Sequence, residues 1–419
     1  MSLNTISVIG LGYIGLPTAA MFASRKKKVI GVDVNQHAVD TINRGEIHIV
    51  EPELDMIVHA AVTEGYLTAT TSAQAADAFL IAVPTPFTNS NSEIPEPDLS
   101  YIQAASEAIA PVLKKGDLVI LESTAPVGAT EQMADWLAEH RPDLSFPQHV
   151  GEASDIRVAH CPERVLPGHV VRELVKNDRV IGGMTPKCSA LAIELYETFV
   201  EGECVTTNAR TAEMAKLTEN SCRDVQIAFA NELSVICDKL DIDVWELISL
   251  ANRHPRINIL NPGPGVGGHC IAVDPWFIVS KTPDEAKLIQ TARQVNDAKP
   301  EWVIDKVKME IADLLLNEPD KASRDITIAC FGLTFKPDID DLRESPALEI
   351  TKRVADIHSG RVVAVEPNID TLPTSCKGIE MLEFEQAIDE ADIYVLLVDH
   401  KEFKNRSVKG RVIDTKGAW

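Results

Sequence analysis

The chain has 419 residues, with 63 Asp and Glu against 40 Lys and Arg, a formal net charge of −23 with histidine neutral. A surface that acidic repels phosphate backbones and anionic lipid, and 5% aromatic residues leave few rings to stack on bases, so nucleic acid and membrane are not expected as partners. With 45% hydrophobic and 25% charged residues the composition is that of a folded globular protein, and the length suggests roughly two or three domains of about 150 residues.

Residues 1–24 contain no charged side chain, which raises the question of a signal peptide or a membrane span. Gly10, Gly12, Gly15 and Pro17 interrupt the stretch, no basic segment precedes it, and its apolar length falls short of the roughly 20 residues a span needs. It reads instead as strand, turn and helix, with Arg25 to Lys28 at the helix's C-terminal end, where cations suit the dipole. The 8 cysteines are scattered, without a CxxC pair, as in a cytoplasmic protein with reduced thiols. Two of them follow a histidine, His160-Cys161 and His269-Cys270, but four ligands at zinc spacing are not assembled and no metal is expected.

Thr5 to Ile9 is a short apolar run, followed by Gly10-Leu11-Gly12-Tyr13-Ile14-Gly15, an alanine-rich helical stretch, and a second strand ending in Asp33. This completes a β-turn-α-β unit in about 30 residues, the context that gives a GxGxxG motif meaning. Gly10 allows the tight turn, Gly12 lets the backbone approach a pyrophosphate, Gly15 lets helix and strand pack, and Tyr13 and Ile14 complete the turn. Asp33 suits the ribose hydroxyls and repels a 2′-phosphate, which favours NAD over NADP. Buried-type strands at Ala78 to Val83 and Leu118 to Leu121 continue a parallel sheet, and this first, NAD-binding domain is placed at residues 1–205.

Residues 206–318 read as a helical middle domain. A single helix is expected over Thr207 to Leu240, which lacks Gly and Pro, and helical pattern continues to Asn317 around the Gly/Pro-rich segment Asn261 to Gly268. A helix of that length joining two domains often also forms a subunit interface, so a homodimer is expected. Residues 319–419 then repeat the beginning: Ile326 to Gly332 mirrors the first strand and glycine turn, Arg361 to Glu366 mirrors Lys28 to Asp33, and Ala391-Asp392 enters an apolar strand as Ala76-Asp77 does. The expected fold is α/β, two Rossmann-like doubly wound parallel-sheet domains joined by a long central helix and the helical middle domain.

Several further motifs accompany the glycine turn. They are Val83-Pro84-Thr85-Pro86, Glu122-Ser123-Thr124 with Pro126 and Gly128, Pro162-Glu163-Arg164, Lys216 with Asn220, Gly265-Val266-Gly267-Gly268-His269-Cys270-Ile271-Ala272-Val273-Asp274, and Phe331 to Lys336 with Arg343. Together and in this order they resemble the UDP-glucose/GDP-mannose dehydrogenase family, over essentially the whole chain. The resemblance implies NAD-dependent oxidation of C6 of a UDP-sugar from alcohol to carboxylate. Pro167 and Val273 stand where the UDP-glucose enzymes carry a glutamate and a lysine, and the pattern looks like the branch acting on N-acetylated hexosamines.

Oxidising an alcohol to an acid removes two hydrides, and the intermediate aldehyde has no good hydride to give until a nucleophile adds to it. Cys270 is the candidate nucleophile, forming a thiohemiacetal that is oxidised to a thioester and then hydrolysed. If helix begins at Ile271, Cys270 lies at its N-terminus, which favours a thiolate, and Asp274, at i+4, shares its face and is the candidate base for water. Lys216 and Asn220, also spaced i, i+4, are assigned by the resemblance to the oxyanion at C6. The resemblance likewise makes Glu163 an aid to thioester hydrolysis and Thr124 a positioner of water or of the nearby base. It places Pro84, Thr85, Thr124 and Arg343 at the cofactor, and Glu163, Arg164, Val165, Lys216, Asn220, Gly267, Phe335 and Lys336 at the substrate. An arginine reaching the neighbouring subunit's site is either Arg253 or Arg256, with Arg256 favoured.

Overall fold

A computed structural model describes residues 3–88, 92–166, 168–268, 270–406 and 408–419. Its contacts divide the chain into two compact units, Met1–Glu219 with Trp276–Thr282, and Asn220–Pro275 with Pro283–Trp419.

The first unit is built on eight strands: β1 (Thr5–Ile9), β2 (Lys28–Val32), β3 (Leu67–Thr70), β4 (Ala78–Ile81), β5 (Leu118–Leu121), β6 (Arg157–His160), β7 (Arg179–Gly183) and β8 (Cys204–Asn208). Their order in the sheet is β3-β2-β1-β4-β5-β6-β7-β8. Neighbours run parallel except β6 and β7, which are antiparallel. Successive residues feed opposite faces: Val8, Leu80, Leu118 and Ile120 enter one apolar cluster, while Ile9, Phe79, Ile81, Val119 and Leu121 enter a second. Burial on both faces is why these strands are written as continuous apolar runs.

The second unit carries β9 (Thr327–Phe331), β10 (Arg361–Val365), β11 (Ile379–Met381), β12 (Ile393–Leu396) and β13 (Arg411–Asp414), ordered β11-β10-β9-β12-β13 and all parallel. This is the order β3-β2-β1-β4-β5 again, so the repeat seen in the sequence is a repeat of topology. It extends to single carboxylates. Asp77 accepts the Thr5 N–H at 3.0 Å and ion-pairs with Lys114 at 3.2 Å; Asp392 accepts the Thr327 N–H at 2.8 Å and pairs with Lys321 at 2.5 Å.

The central helix spans Ala209–Lys239, starting later than the expected Thr207 because β8 runs on to Asn208, whose side chain then caps the helix by accepting the Thr211 N–H at 2.9 Å. A second long helix, Lys287–Asn317, ends where the sequence placed its end. Within the second unit, Asn231 of the central helix donates to Asn296 at 2.9 Å and accepts the Gly263 N–H at 2.8 Å, which fastens the Gly/Pro-rich segment to both long helices. Among the described residues no helix is long and apolar enough to cross a membrane.

Candidate active site

In the first unit the predicted cofactor residues follow the carboxyl ends of β1, β2, β4 and β5, the edge at which open parallel sheets bind ligands. Gly10 has φ of +90° and its N–H donates to the Val32 carbonyl at 2.8 Å. A Cβ on Gly10 would lie 2.5 Å from the Ala82 carbonyl oxygen and one on Gly15 1.8 Å from that of Gly10, whereas one on Gly12 would meet nothing within 4 Å. Gly10 and Gly15 are thus needed for packing, and Gly12 leaves open the space a pyrophosphate would take. The helix that follows, Gly15–Ser24, has Ile14 at its N-cap, no side-chain cap and no acid in its first turn, so its amide dipoles suit an anion. Tyr13 is exposed beside it. Asp33 is half-buried, and its carboxylate accepts the Leu11 N–H and the Asn35 N–H, each at 2.8 Å. The Thr85 hydroxyl donates to the Thr124 carbonyl at 2.6 Å, joining the loops after β4 and β5 beside Pro84. These residues fit NAD.

Glu163, on the loop after β6, is 8% exposed; one carboxylate oxygen accepts the Arg164 N–H and the other accepts from the Arg179 guanidinium, both at 2.8 Å. Arg164 pairs with Glu219 at 2.7 Å, and Val165 packs against the core. Lys216 is buried, and its side chain makes no hydrogen bond or ion pair among the described residues. One turn before it, the buried Glu213 accepts the N–H groups of Gly128 and Thr130 at 2.7 and 2.8 Å, and burial pushes its carboxyl up. This contact gives Gly128, whose φ is +96°, a structural role.

In the second unit, Cys270 is exposed and stands one turn ahead of the helix Asp274–Lys281, not at Ile271's expected helix start. Residues 271–273 form a turn, and the Cys270 carbonyl accepts the Val273 and Asp274 N–H groups at 3.1 and 2.8 Å, a helix-type closure that keeps Cys270 and Asp274 together. Asp274 is 3% exposed and accepts from the Asn220 amide at 2.5 Å. The structure therefore assembles Cys270, Asp274 and Asn220, with Lys216 one helical turn from Asn220.

Gly267 and Gly268 dock on the loop after β9. A Cβ on Gly267 would lie 2.3 Å from the Glu344 carbonyl oxygen and 2.9 Å from the Phe335 Cβ; Gly268 has φ of +81° and faces the Phe335 ring. Between these segments lies a cavity of about 280 Å³, lined among others by Arg223, Asn261, Thr334, Phe335 and Lys416. Lys336 is exposed next to Phe335. Arg343 forms a bidentate pair with Asp341, at 2.9 and 2.5 Å. Arg253 and Arg256 are both exposed just after the helix Val244–Ala251. His269 and Pro167 lie outside the described residues.

Arg223 and Lys416 are cavity residues that sequence reasoning missed. Arg223 follows Lys216 by two helical turns on one face, a readable signal, whereas nothing near Lys416 marks it. Burial pushes the thiols of Cys161 and Cys330 up to about 12, which keeps them inert. Among the described residues no group of three His, Cys, Asp or Glu side chains is arranged to hold a metal ion.

The sequence matches the UDP-glucose/GDP-mannose dehydrogenase family along most of its length: the NAD binding domain over residues 4–200, the central domain over 210–298 and the UDP binding domain over 329–419. It is 67% identical to a UDP-N-acetyl-D-mannosamine dehydrogenase of Yersinia pestis, covering 100% of both chains. It is 65% identical to an NDP-N-acetyl-D-galactosaminuronic acid dehydrogenase of Ralstonia nicotianae, covering 99% of this chain and 96% of that one. A solved UDP-D-ManNAc dehydrogenase from Pyrococcus horikoshii superposes with a TM-score of 0.85 at 37% identity, over 99% of this chain and 96% of that one. With the glycine turn, the cysteine turn and the second α/β unit following one another as they do, the chain belongs to the UDP-glucose/GDP-mannose dehydrogenase family.

Proposed function

We propose that the protein oxidises C6 of UDP-N-acetyl-D-mannosamine to the carboxylate, yielding UDP-N-acetyl-D-mannosaminuronate as a cytoplasmic precursor for cell-surface polysaccharide. The observation that carries the reading is the turn holding Cys270 against Asp274, with Asn220 bonded to that carboxylate. The two relatives named above act, by their names, on N-acetylated sugars, and Val273 removes a lysine that the UDP-glucose enzymes carry.

When bound, NAD would supply two successive hydride acceptors; Gly10 to Gly15, Asp33, Pro84, Thr85 and Thr124 would hold it, and the resemblance assigns Arg343 to it as well. The chain's own groups do the rest. Lys216 and Asn220 stabilise the oxygen at C6 as it takes on negative charge. The Cys270 thiolate adds to the aldehyde carbon, and the C–H bond of the resulting thiohemiacetal breaks in the second oxidation to leave a thioester. Water then adds to the thioester carbonyl with its proton passing to a carboxylate, Asp274 or Glu163; the C–S bond breaks and its electron pair returns to sulfur. Thr124 positions the water or the neighbouring base. The balance is one alcohol, two NAD and one water to one carboxylate, two NADH and three protons.

The UDP portion is assigned to the cavity lined by Phe335, where Arg223 and Lys416 offset the overall acidity, with Lys336 and Gly267 close to Phe335, and the resemblance assigns Arg164 and Val165 to the sugar. Residues 1–205, 206–318 and 319–419 serve as NAD-binding, helical and UDP-sugar-binding domains. The helical region pairs with a second copy: Phe229, Leu240 and Leu250 expose 52, 61 and 58% of their surface there, and Arg256 reaches the partner's site. The test is the number of NADH formed per sugar consumed, across UDP-sugars with and without the N-acetyl group. Two NADH on the N-acetylated substrate are expected; one would mean a simple alcohol dehydrogenase.

A further inference from the structure

Arg179 begins β7 and is 4% exposed. Its guanidinium lies over the Tyr196 ring at 4.6 Å and the Phe199 ring at 5.6 Å, donates to Glu163 at 2.8 Å, and reaches Cys161 Sγ at 3.6 Å and Glu122 Oε1 at 3.9 Å. Glu122 in turn accepts from the Tyr196 hydroxyl at 2.5 Å. One permanent cation thus faces two carboxyl groups in a buried pocket. A buried ion pair is rarely the cheapest way to stabilise a sheet, since apolar side chains of similar volume serve as well or better.

The surroundings decide which carboxyl the cation serves. Burial pushes Glu122 up to about 7, the Cys161 thiol up to about 12 and Tyr196 well above its ordinary value, so these neighbours favour their neutral forms. Burial works against the charge on Arg179 as well, but Glu163 and the other neighbours hold its pKa well above the ordinary value. Glu163 is the group to which the guanidinium is directly bonded, and its other oxygen is held by the Arg164 N–H.

We propose that Arg179 is a positioning residue for thioester hydrolysis: through its bond to Glu163 it fixes that carboxylate in the orientation from which it assists the attack of water. This rests on the role of Glu163 given under the proposed function. Arginine suits the task because it keeps its charge when buried and its fixed array of donors lets one terminal nitrogen hold Glu163 while the other faces Cys161 and Glu122.

The experiment is a double-variant cycle of Glu163→Gln and Arg179→Met in the full-length protein, read by steady-state NADH formation, the pre-steady-state burst and intact-protein mass spectrometry. Arg179→Met should lower kcat on the order of a hundredfold, with KM for sugar and NAD within about threefold of wild type. Two NADH per site should form before the slow phase, and a thioester should accumulate on Cys270. In the Glu163→Gln background the same change should cost less than about threefold more, because its route of action is already gone. Losses that multiply in the double variant, or a slow Arg179→Met protein without thioester, would overturn the proposal. A Glu163→Gln protein with wild-type turnover would instead refute the role of Glu163 itself. Arg179→Lys runs the same cycle where Arg179→Met does not fold, with a smaller loss and the same non-additivity expected.

Discussion

Glu366 occupies in the C-terminal sheet the place that Asp33 occupies in the N-terminal one, and each accepts the N–H of the residue after the turn glycine, Leu333 at 2.7 Å and Leu11 at 2.8 Å. Their second oxygens accept the N–H two residues on, from Asn368 at 2.9 Å and Asn35 at 2.8 Å. The difference is what else they meet. His400 Nδ1 accepts from the Asp338 N–H and the Asn368 amide, each at 3.0 Å, which leaves Nε2 as the donor to Glu366, also at 3.0 Å. No side chain hydrogen-bonds Asp33 among the described residues. The same acid in the same fold is therefore an internal clamp in one unit and open to a ribose in the other.

Asp33→Ala should accordingly weaken NAD binding by tenfold or more, on the order of 1.4 kcal/mol, and narrow the preference over NADP, because the acceptor for the ribose hydroxyls and the repulsion of a 2′-phosphate disappear together. Glu366→Ala should leave NAD affinity unchanged and lower thermal stability by stranding the buried His400. Calorimetric titration with both cofactors and thermal unfolding of both variants check this. A wild-type protein that bound NAD and NADP alike, or a Glu366 variant with weakened NAD binding, would contradict the assignment.

The repeat of topology was legible because strands buried on both faces leave long apolar runs, and because Asp33, Glu366, Asp77 and Asp392 recur at matching offsets. The cysteine turn was legible because its chemistry is local: Cys270 and Asp274 are one turn apart in sequence and in space. The reversal of β7 against β6 was not, since nothing in Arg179 to Gly183 encodes the direction of its neighbour. Arg179 beside Glu163, Glu213 beneath Gly128 and Lys416 at the cavity were missed for the same reason. Such pairings are made by the order of strands and helices, and no local periodicity records them. Cys270 also stands a turn earlier than expected because Gly267 and Gly268 dock on Phe335 and the chain must turn before helix can begin at Asp274.

N-acetylated UDP-hexosamines should be turned over with a kcat/KM orders of magnitude above that for UDP-glucose. A pocket built to hydrogen-bond an acetamido group leaves buried polar atoms unpaired when that group is missing, which rejects the analogue strongly. Val273 supports this, since a residue that is lysine in the UDP-glucose enzymes cannot donate here. Comparable kcat/KM values for UDP-glucose and UDP-N-acetylmannosamine would sink the idea.

Glu122 should leave a mark on stability against pH. Burial raises its acid from the ordinary 4.5 to about 7 in the folded protein, so between those values the unfolded chain has released a proton that the folded chain retains. Stability from this group is complete below about pH 4.5 and is lost as pH rises through about 7, by on the order of 3 kcal/mol. Glu122→Gln, which keeps an acceptor for Tyr196, should remove that fall. Denaturant unfolding of both proteins from pH 5 to 8 gives the difference curve, and parallel curves would show that Glu122 does not titrate as its burial requires.

The order of events at Cys270 yields the remaining prediction. The first hydride leaves an alcohol carbon and requires a base and a stabilised oxyanion, for which Lys216, Asn220 and water suffice. The second requires a covalent adduct, for which the thiol of Cys270 is the group placed beside Asp274. Cys270→Ala should therefore abolish acid formation while leaving substrate and cofactor binding nearly intact, with at most a slow, reversible oxidation to the aldehyde. Asp274→Asn should act later: the thioester still forms, but its hydrolysis slows and the adduct accumulates, visible as added mass on the intact protein after incubation with substrate and NAD. Asn220→Ala removes both the 2.5 Å bond to the Asp274 carboxylate and the amide assigned to the oxyanion at C6, so a slower first oxidation together with a smaller accumulation of the same adduct is expected. Normal acid production by the Cys270→Ala protein would refute the thioester route, and both hydrides would then have to leave through an alcohol and a hydrated aldehyde without covalent help from the chain.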